Sequence, residues 1–540
     1  MSAGALALVG GTVSVAAPHA AAHPDARAKH VLLLSVDGLH ESDLAWWVRH
    51  HPDSALASLV HDGVDFTNAR TPFPSDSFPG MVGQVTGGNP SSTGVYYDDS
   101  YNHALLPPGT TSCTGATPGT EVTYFEQLDI NQHSIDAGQG LAGLPGSILQ
   151  LTSDARSLID PKQLPVDPAT CTPVYPDQYL KVNTIFEVAS AAGLRTAWSD
   201  KHPAYEILGG ATQGVQDFFT PEINSDAPTL GSSNDWTTDN ALTMQYDSYK
   251  VQAVLNWIKG LNHQGTASPG TPAIFGMNFQ TVSTAQKLPT SDGLQGGYEA
   301  DGVTPGPLLL RALGYIDDQV AAMQSALRAQ HLEDSTVVIL SAKHGQSPQT
   351  PSALKRIDDG AIITALNTSW HTAHPSGVNP LVAFSIDDDG WLMWLNDRSN
   401  TATSFAKDFL LDHSGTGNDI NGATVPYEHS GLARVFAGEA AADFMNVRPG
   451  DARVPDVIGI VQYGVVYTGK KGKIAEHGGD NPQDRHVALV VSGDPIDEHG
   501  TVDDRVETTQ IAPTILALLG LDPDALRAVQ IEHTAVLPVG

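Results

Sequence analysis

The chain has 540 residues, 41% of them hydrophobic and 16% charged, which is enough to bury a large core and to hold more than one domain. Its 28 basic residues face 60 acidic ones, a formal net charge of −32, so the surface repels nucleic acid and sets the chain against polyanion binding. The two cysteines, Cys113 and Cys171, lie in no Cys-x-x-Cys or Cys/His cluster and make no metal site.

The first residues are rich in Ala and Val and end in a small-residue Ala-x-Ala pattern, like the apolar core and cleavage site of a secretory signal, though without its basic start. Residues 1–28 are read as signal-like or disordered, and the chain as secreted or extracytoplasmic. No later stretch is apolar and long enough to anchor it across a bilayer. Export favours a disulfide between Cys113 and Cys171.

Short apolar runs predict buried strands at 31–36, 195–199, 273–279, 336–341, 457–466 and 486–492. Helical patterns lie between them. One spans 184–193. A longer one spans 307–328, with Leu309, Leu313, Ile316, Val320 and Met323 at helical spacing, and the last spans 508–519. The alternation predicts an α/β three-layer sandwich, a mostly parallel central sheet with helices on both faces, over residues 29–535. Residues 100–180 and 350–450 read as insertions. In the second, apolar runs flank Asp387-Asp388-Asp389-Gly390, a hairpin signal around 382–395, and this stretch is expected to cap the site.

Ligands of such sheets collect beyond the carboxyl ends of the strands. Asp37 ends the first strand there, and Lys343 and His344 follow the fourth. Ser77, in Phe73-Pro-Ser-Asp-Ser-Phe-Pro79, stands where a helix begins. A carboxylate can hold a divalent cation that lowers the pKa of a hydroxyl, and a helix N-terminus offers free N–H groups to an anionic ester. Ser77 is therefore the candidate nucleophile and Asp37 a candidate metal ligand. Asp98 follows the nucleophile helix. Lys201 and His202 end another predicted strand and are candidates to bind the substrate anion. His477 precedes the last strand.

In order along the chain, Leu33-Leu-Ser-Val-Asp-Gly38, the Ser77 segment with Val85-Thr-Gly87, Lys343-His-Gly345, Glu476-His-Gly478 and the run 506–523 resemble the alkaline phosphatase superfamily. The branch they are most similar to is the type I phosphodiesterase/nucleotide pyrophosphatase group. The resemblance implies a metal-dependent phosphoric ester hydrolase with Asp37, Ser77, His344 and His477 as metal ligands. It also shows departures. Gln286 stands where the family has a ligand histidine, an uncharged residue near Val282 where it has an aspartate, Lys343 where it has another, and Asp98 where it has an asparagine. One divalent ion, zinc by its Asp and His donors, is thus expected in place of two, with the Lys343 ammonium supplying the missing charge as a catalytic group. The expected substrate is a small phosphate diester. The alternatives are a one-metal phosphomonoesterase or sulfatase-like hydrolase, and an inactive secreted binding protein of the same fold.

Overall fold

The computed structural model describes residues 27–130, 148–221, 236–468 and 472–540. The signal-like start lies outside these residues, apart from its last two, and so does part of the first insertion. In chain order the strands that frame the site are β1 (His30–Val36), β2 (Gly63–Phe66), β3 (Ala197–Ser199), β4 (Asp217–Phe219), β5 (Ile274–Phe279), β6 (Thr336–Ser341), β7 (Val382–Asp387), β8 (Gly390–Leu395), β9 (Leu432–Ala437), β10 (Val457–Val461), β11 (Leu489–Ser492) and β12 (Gly500–Val502). The principal helices beside them are α1 (Ser77–Thr86), α2 (Asn240–Ile258), α3 (Thr281–Lys287), α4 (Pro307–Ala329) and α5 (Ile511–Leu518).

An eight-stranded sheet runs in the order β12-β2-β11-β6-β1-β5-β3-β4. Its centre, β6-β1-β5-β3-β4, is parallel throughout, and β11 runs antiparallel to both of its neighbours. The unbroken apolar run of β1 is what a strand buried on both faces needs. Val31 and Leu33 point to a core shared with Val82 and Val85 of α1 and Ile511 and Ile515 of α5. Leu32, Leu34 and Val36 point to the opposite core, with Trp257 of α2 and Leu313, Ile316 and Val320 of α4. Each such leucine, fully buried, contributes about 1.5–3 kcal/mol. The expected three-layer α/β architecture is the one observed.

The predicted strand 457–466 is a correction. It is two strands, β10 and a short one at Val465–Tyr467, and neither joins the central sheet. Gly464, at φ +92°, turns the chain between them. β10 instead completes an antiparallel sheet, β7-β8-β10-β9, over a separate core that contains Trp370, Trp391 and Met393. An apolar run records burial and not which sheet buries it. The hairpin forms as expected, with β7 and β8 paired and Asp388-Asp389 at its turn. Among the described residues no helix is long and apolar enough to cross a membrane.

Cys113 and Cys171 are joined, closing a loop with a sequence separation of 58. In the chain-entropy account a loop of this length stabilises the fold by about 4 kcal/mol. Replacing both cysteines by serine is expected to lower the urea midpoint by a corresponding amount. An unchanged midpoint would show that the bridge constrains nothing the fold depends on.

Candidate active site

The register of the central strands decides which residues meet. Ser35 pairs with Asn278 on one side and with Ser341 on the other, and Met277 pairs with Ser199. Asp37, Asn278, Asp200-Lys201-His202 and Lys343-His344 therefore emerge together at the carboxyl edge of the sheet. α1 starts at Ser77. Its N-cap is Asp76, whose carboxylate accepts from the Phe78 N–H at 3.1 Å. The helix lies hard against the end of β6. A Cβ on Gly80 would come within 2.1 Å of the Lys343 carbonyl oxygen, so only glycine permits this approach. The Gln84 amide donates to the Ala342 carbonyl at 2.8 Å, and the Thr71 hydroxyl donates to that of Lys343.

This packing sets Ser77 Oγ between an ammonium and an imidazole. Lys201 Nζ donates to Ser77 Oγ at 3.0 Å and lies 3.0 Å from Asp37 Oδ2. His344 Nε2 is 3.3 Å from Ser77 Oγ. His344 Nδ1 lies 3.0 Å from the Gly345 carbonyl, which can only accept, so Nδ1 carries the proton and Nε2 accepts from the serine hydroxyl. Burial drives the pKa of His344 down to about 3 against the pull of Asp37, leaving a neutral imidazole. Burial alone would raise the carboxyl of Asp37, but Lys201 and Lys343 outweigh it and hold the group ionised. The second oxygen of Asp37, Oδ1, accepts from the Asn278 amide at 2.8 Å.

Lys343 is fully buried. Its Nζ lies 2.8 Å from Asp200 Oδ1 and 3.1 Å from Tyr205 Oη, and 4.2 Å above the Tyr205 ring. Its partner was invisible in the sequence, and the ammonium does not face the nucleophile. His202 packs between Phe78 and Tyr205, with ring centroids 6.3 and 5.3 Å away, and burial together with Lys201 depresses its pKa well below the usual value. It supports the helix start and presents no charge to a substrate.

Of the expected metal ligands, Ser77, His344 and His477 adjoin one another, while the Lys201 ammonium stands between Ser77 and Asp37. Among the described residues the group of three metal-binding side chains with donor atoms within 4.8 Å of one another is Asp388, Glu476 and His477, which omits Asp37 and His344. There Glu476 is already paired, with Lys287 at 2.8 Å and with Lys473, and these two lysines pull its carboxyl down to about 2 although burial opposes them. The places that the resemblance assigns to further ligands are also taken. Gln286 donates to the Gly38 carbonyl at 2.9 Å and to Asp43 Oδ2 at 3.0 Å, and accepts from Gln346 at 2.7 Å. Val282 is part of the core. Gln286 and Val282 thus supply no ligands for a second metal, and an ion shared by Asp37 and Ser77 would have to take the place of the Lys201 ammonium.

A second group approaches from the cap. Asp388, at the β7–β8 turn, accepts from Tyr97 Oη at 2.7 Å, and the His477 carbonyl accepts from the Asp389 N–H at 3.2 Å. The rings of His477 and His344 are 4.1 Å apart. His477 Nδ1 lies 3.5 Å from Asp76 Oδ1, but burial and Lys287 push the histidine well below its usual pKa, so the contact is not an ion pair. Asp98 keeps one buried oxygen without a hydrogen-bond partner, and burial together with Asp76 and Asp388 pushes its pKa well up, toward the protonated form.

The sequence matches the profile of the type I phosphodiesterase / nucleotide pyrophosphatase family over residues 31–484. The chain belongs to this family. Members of the family are metal-dependent phosphoester hydrolases, so the crowded ligand positions described above are a departure within it. The fold is shared with solved structures at low identity. Wild-type alkaline phosphatase PafA is 13% identical, with 92% of this chain and 96% of that chain covered and a TM-score of 0.58. Murine ectonucleotide pyrophosphatase / phosphodiesterase 5 is 13% identical with the same coverages and a TM-score of 0.52, and an inactive variant of it in complex with AMP is 12% identical with a TM-score of 0.52. No curated protein sequence matches this family member.

Sequence reasoning missed Asp200, Asp388, Glu476 as an ion-pair centre, and both lysines that hold it. Asp200 did carry a signal: it precedes Lys201 at a predicted strand end. Lys343→Met is expected to destabilise the fold by about 3–5 kcal/mol in urea unfolding, because it strands a buried carboxylate. Adding Asp200→Asn should recover most of that loss. A loss under about 1 kcal/mol in the single variant would show that the pair is not structural.

Proposed function

We propose that this protein hydrolyses phosphate esters, phosphodiesters first, with Ser77 as the nucleophile. The observation that carries this reading is the placement of Ser77 Oγ in the first turn of α1, 3.0 Å from the Lys201 ammonium and 3.3 Å from a neutral His344. Helix N–H groups and an ammonium together favour a phosphoryl oxyanion. Ser77 Oγ attacks phosphorus and the ester P–O bond breaks. The serine proton passes to His344 Nε2 and then to the leaving alkoxide. Water next attacks the phosphoryl-serine and gives its proton to His344, the Oγ–P bond breaks, and Ser77 Oγ takes the proton back. Asp98, in its protonated form, donates an O–H to a transferred oxygen as an asparagine amide would. Export belongs to this reading, and the Cys113–Cys171 bridge supports it because such bonds persist in oxidising compartments. The divalent ion expected from the sequence is not carried into these steps, since Lys201 stands between Asp37 and Ser77 and since Gln286, Val282 and Lys343 stand where the resemblance places ligands.

Those same substitutions favour a second reading, a protein that binds phosphate esters without turning them over. Hydrolysis of bis(p-nitrophenyl) phosphate and p-nitrophenyl phosphate by the purified protein separates the two. Ser77→Ala is expected to lower the rate on the order of 10³-fold or more with the fold intact. A variant that keeps most of the rate would remove Ser77 from the mechanism. Asp98→Asn is expected to keep activity within about tenfold of the parent, because a neutral donor replaces a neutral donor. A loss as deep as that of Ser77→Ala would mean that the carboxylate form is the working one.

A further inference from the structure

We infer that the ammonium of Lys201 is the cation that holds and activates Ser77, and that turnover at this site needs no divalent ion. The inference rests on the hydrolase reading above and deepens it. Lys201 Nζ stands 3.0 Å from Ser77 Oγ and 3.0 Å from Asp37 Oδ2, so one positive charge bridges the nucleophile and the buried carboxylate at the end of β1. A cation in this place favours the ionised form of the serine as it attacks, and it meets the negative charge that gathers on the phosphoryl oxygens.

Three features make the lysine a built part of the site. Both oxygens of Asp37 already have partners, Oδ1 the Asn278 amide and Oδ2 the Lys201 ammonium, which stands on the side of Asp37 that faces Ser77. The Lys201 backbone is pinned by its neighbour: the Lys201 N–H donates to Asp200 Oδ1 at 2.9 Å, and Asp200 is itself held by Lys343 and by Trp198 Nε1 at 3.0 Å. The side chain is 16% exposed where that of Lys343 is 0% exposed, so an anionic ester can reach the one ammonium and not the other. A divalent ion inserted between Asp37 and Ser77 would have to expel this ammonium and leave it beside a like charge.

In the reaction Lys201 stays protonated. The Oγ–P bond forms as the ester P–O bond breaks, the proton travels through His344 to the leaving oxygen, and the lysine only donates hydrogen bonds. No oxidant, reductant or further co-reactant is required, and water completes the cycle.

The test uses the full chain. Wild-type protein, after exhaustive chelation and with metal content checked by elemental analysis, is expected to hydrolyse bis(p-nitrophenyl) phosphate within about twofold of its untreated rate. Lys201→Cys is expected to lose about 10³-fold, and treatment with 2-bromoethylamine, which rebuilds an ammonium at nearly the same reach, to restore at least about tenfold of it. Because Cys113 and Cys171 are joined, the new thiol is the only target for the reagent. Loss of wild-type activity on chelation with recovery on adding zinc, magnesium or calcium would overturn the inference. So would a Lys201→Cys variant as fast as the parent, or one whose rate aminoethylation does not raise. If the wild type hydrolyses no ester at all, the hydrolase reading fails separately, and orthovanadate decides the lysine. Chelated wild-type protein should be thermally stabilised by orthovanadate and Lys201→Ala should not, whereas equal stabilisation of the two would refute the role of Lys201.

Discussion

A carboxylate buried at the end of a strand is tolerated only with a cation or strong hydrogen-bond donors beside it, because water is no longer there to solvate the charge. Asp37 is such a group at the centre of the sheet, and its surroundings answer that requirement. Lys201 and the Asn278 amide take its two oxygens. The same rule operates one strand further out, where Lys343 meets Asp200, and again behind His477, where Lys287 and Lys473 meet Glu476. The carboxyl edge of the sheet is thus a lattice of paired charges, and Ser77 is placed by it: the lysine that neutralises Asp37 is the one that grips Ser77.

That lattice explains why the departures from the family pattern belong together. With the Lys201 ammonium between Asp37 and Ser77, the lysine at position 343 pairs with Asp200. Gln286 satisfies its own buried amide against Gly38, Asp43 and Gln346.

The cap adds a different element. Its hairpin turn brings Asp388 against Tyr97 and near His477, and with Asp76 and Asp98 it gathers carboxyl groups close to one another. Burial pushes the carboxyl of Asp76 up to about 6, and burial together with Glu476 does the same for Asp388, while Asp98 is pushed well above its usual range.

The amino-acid sequence alone determined the layered α/β fold, because the apolar run of β1 and the helical spacing of Leu309, Leu313, Ile316, Val320 and Met323 record burial locally. It also determined the candidates Asp37, Ser77, His344 and His477, because strand ends and a helix start are marked by short motifs. The failures have one source. The run at 457–466 shows burial but not that it joins the cap sheet, and neither Lys343 nor Lys201 carries any local mark of its partner. Pairing across 143 residues between Lys343 and Asp200, or across 124 between Lys201 and Ser77, is set by strand register. Only the tertiary structure could decide that Lys201 stands beside Ser77 and Asp37, since charge compensation depends on distance in space and the sequence records only order along the chain.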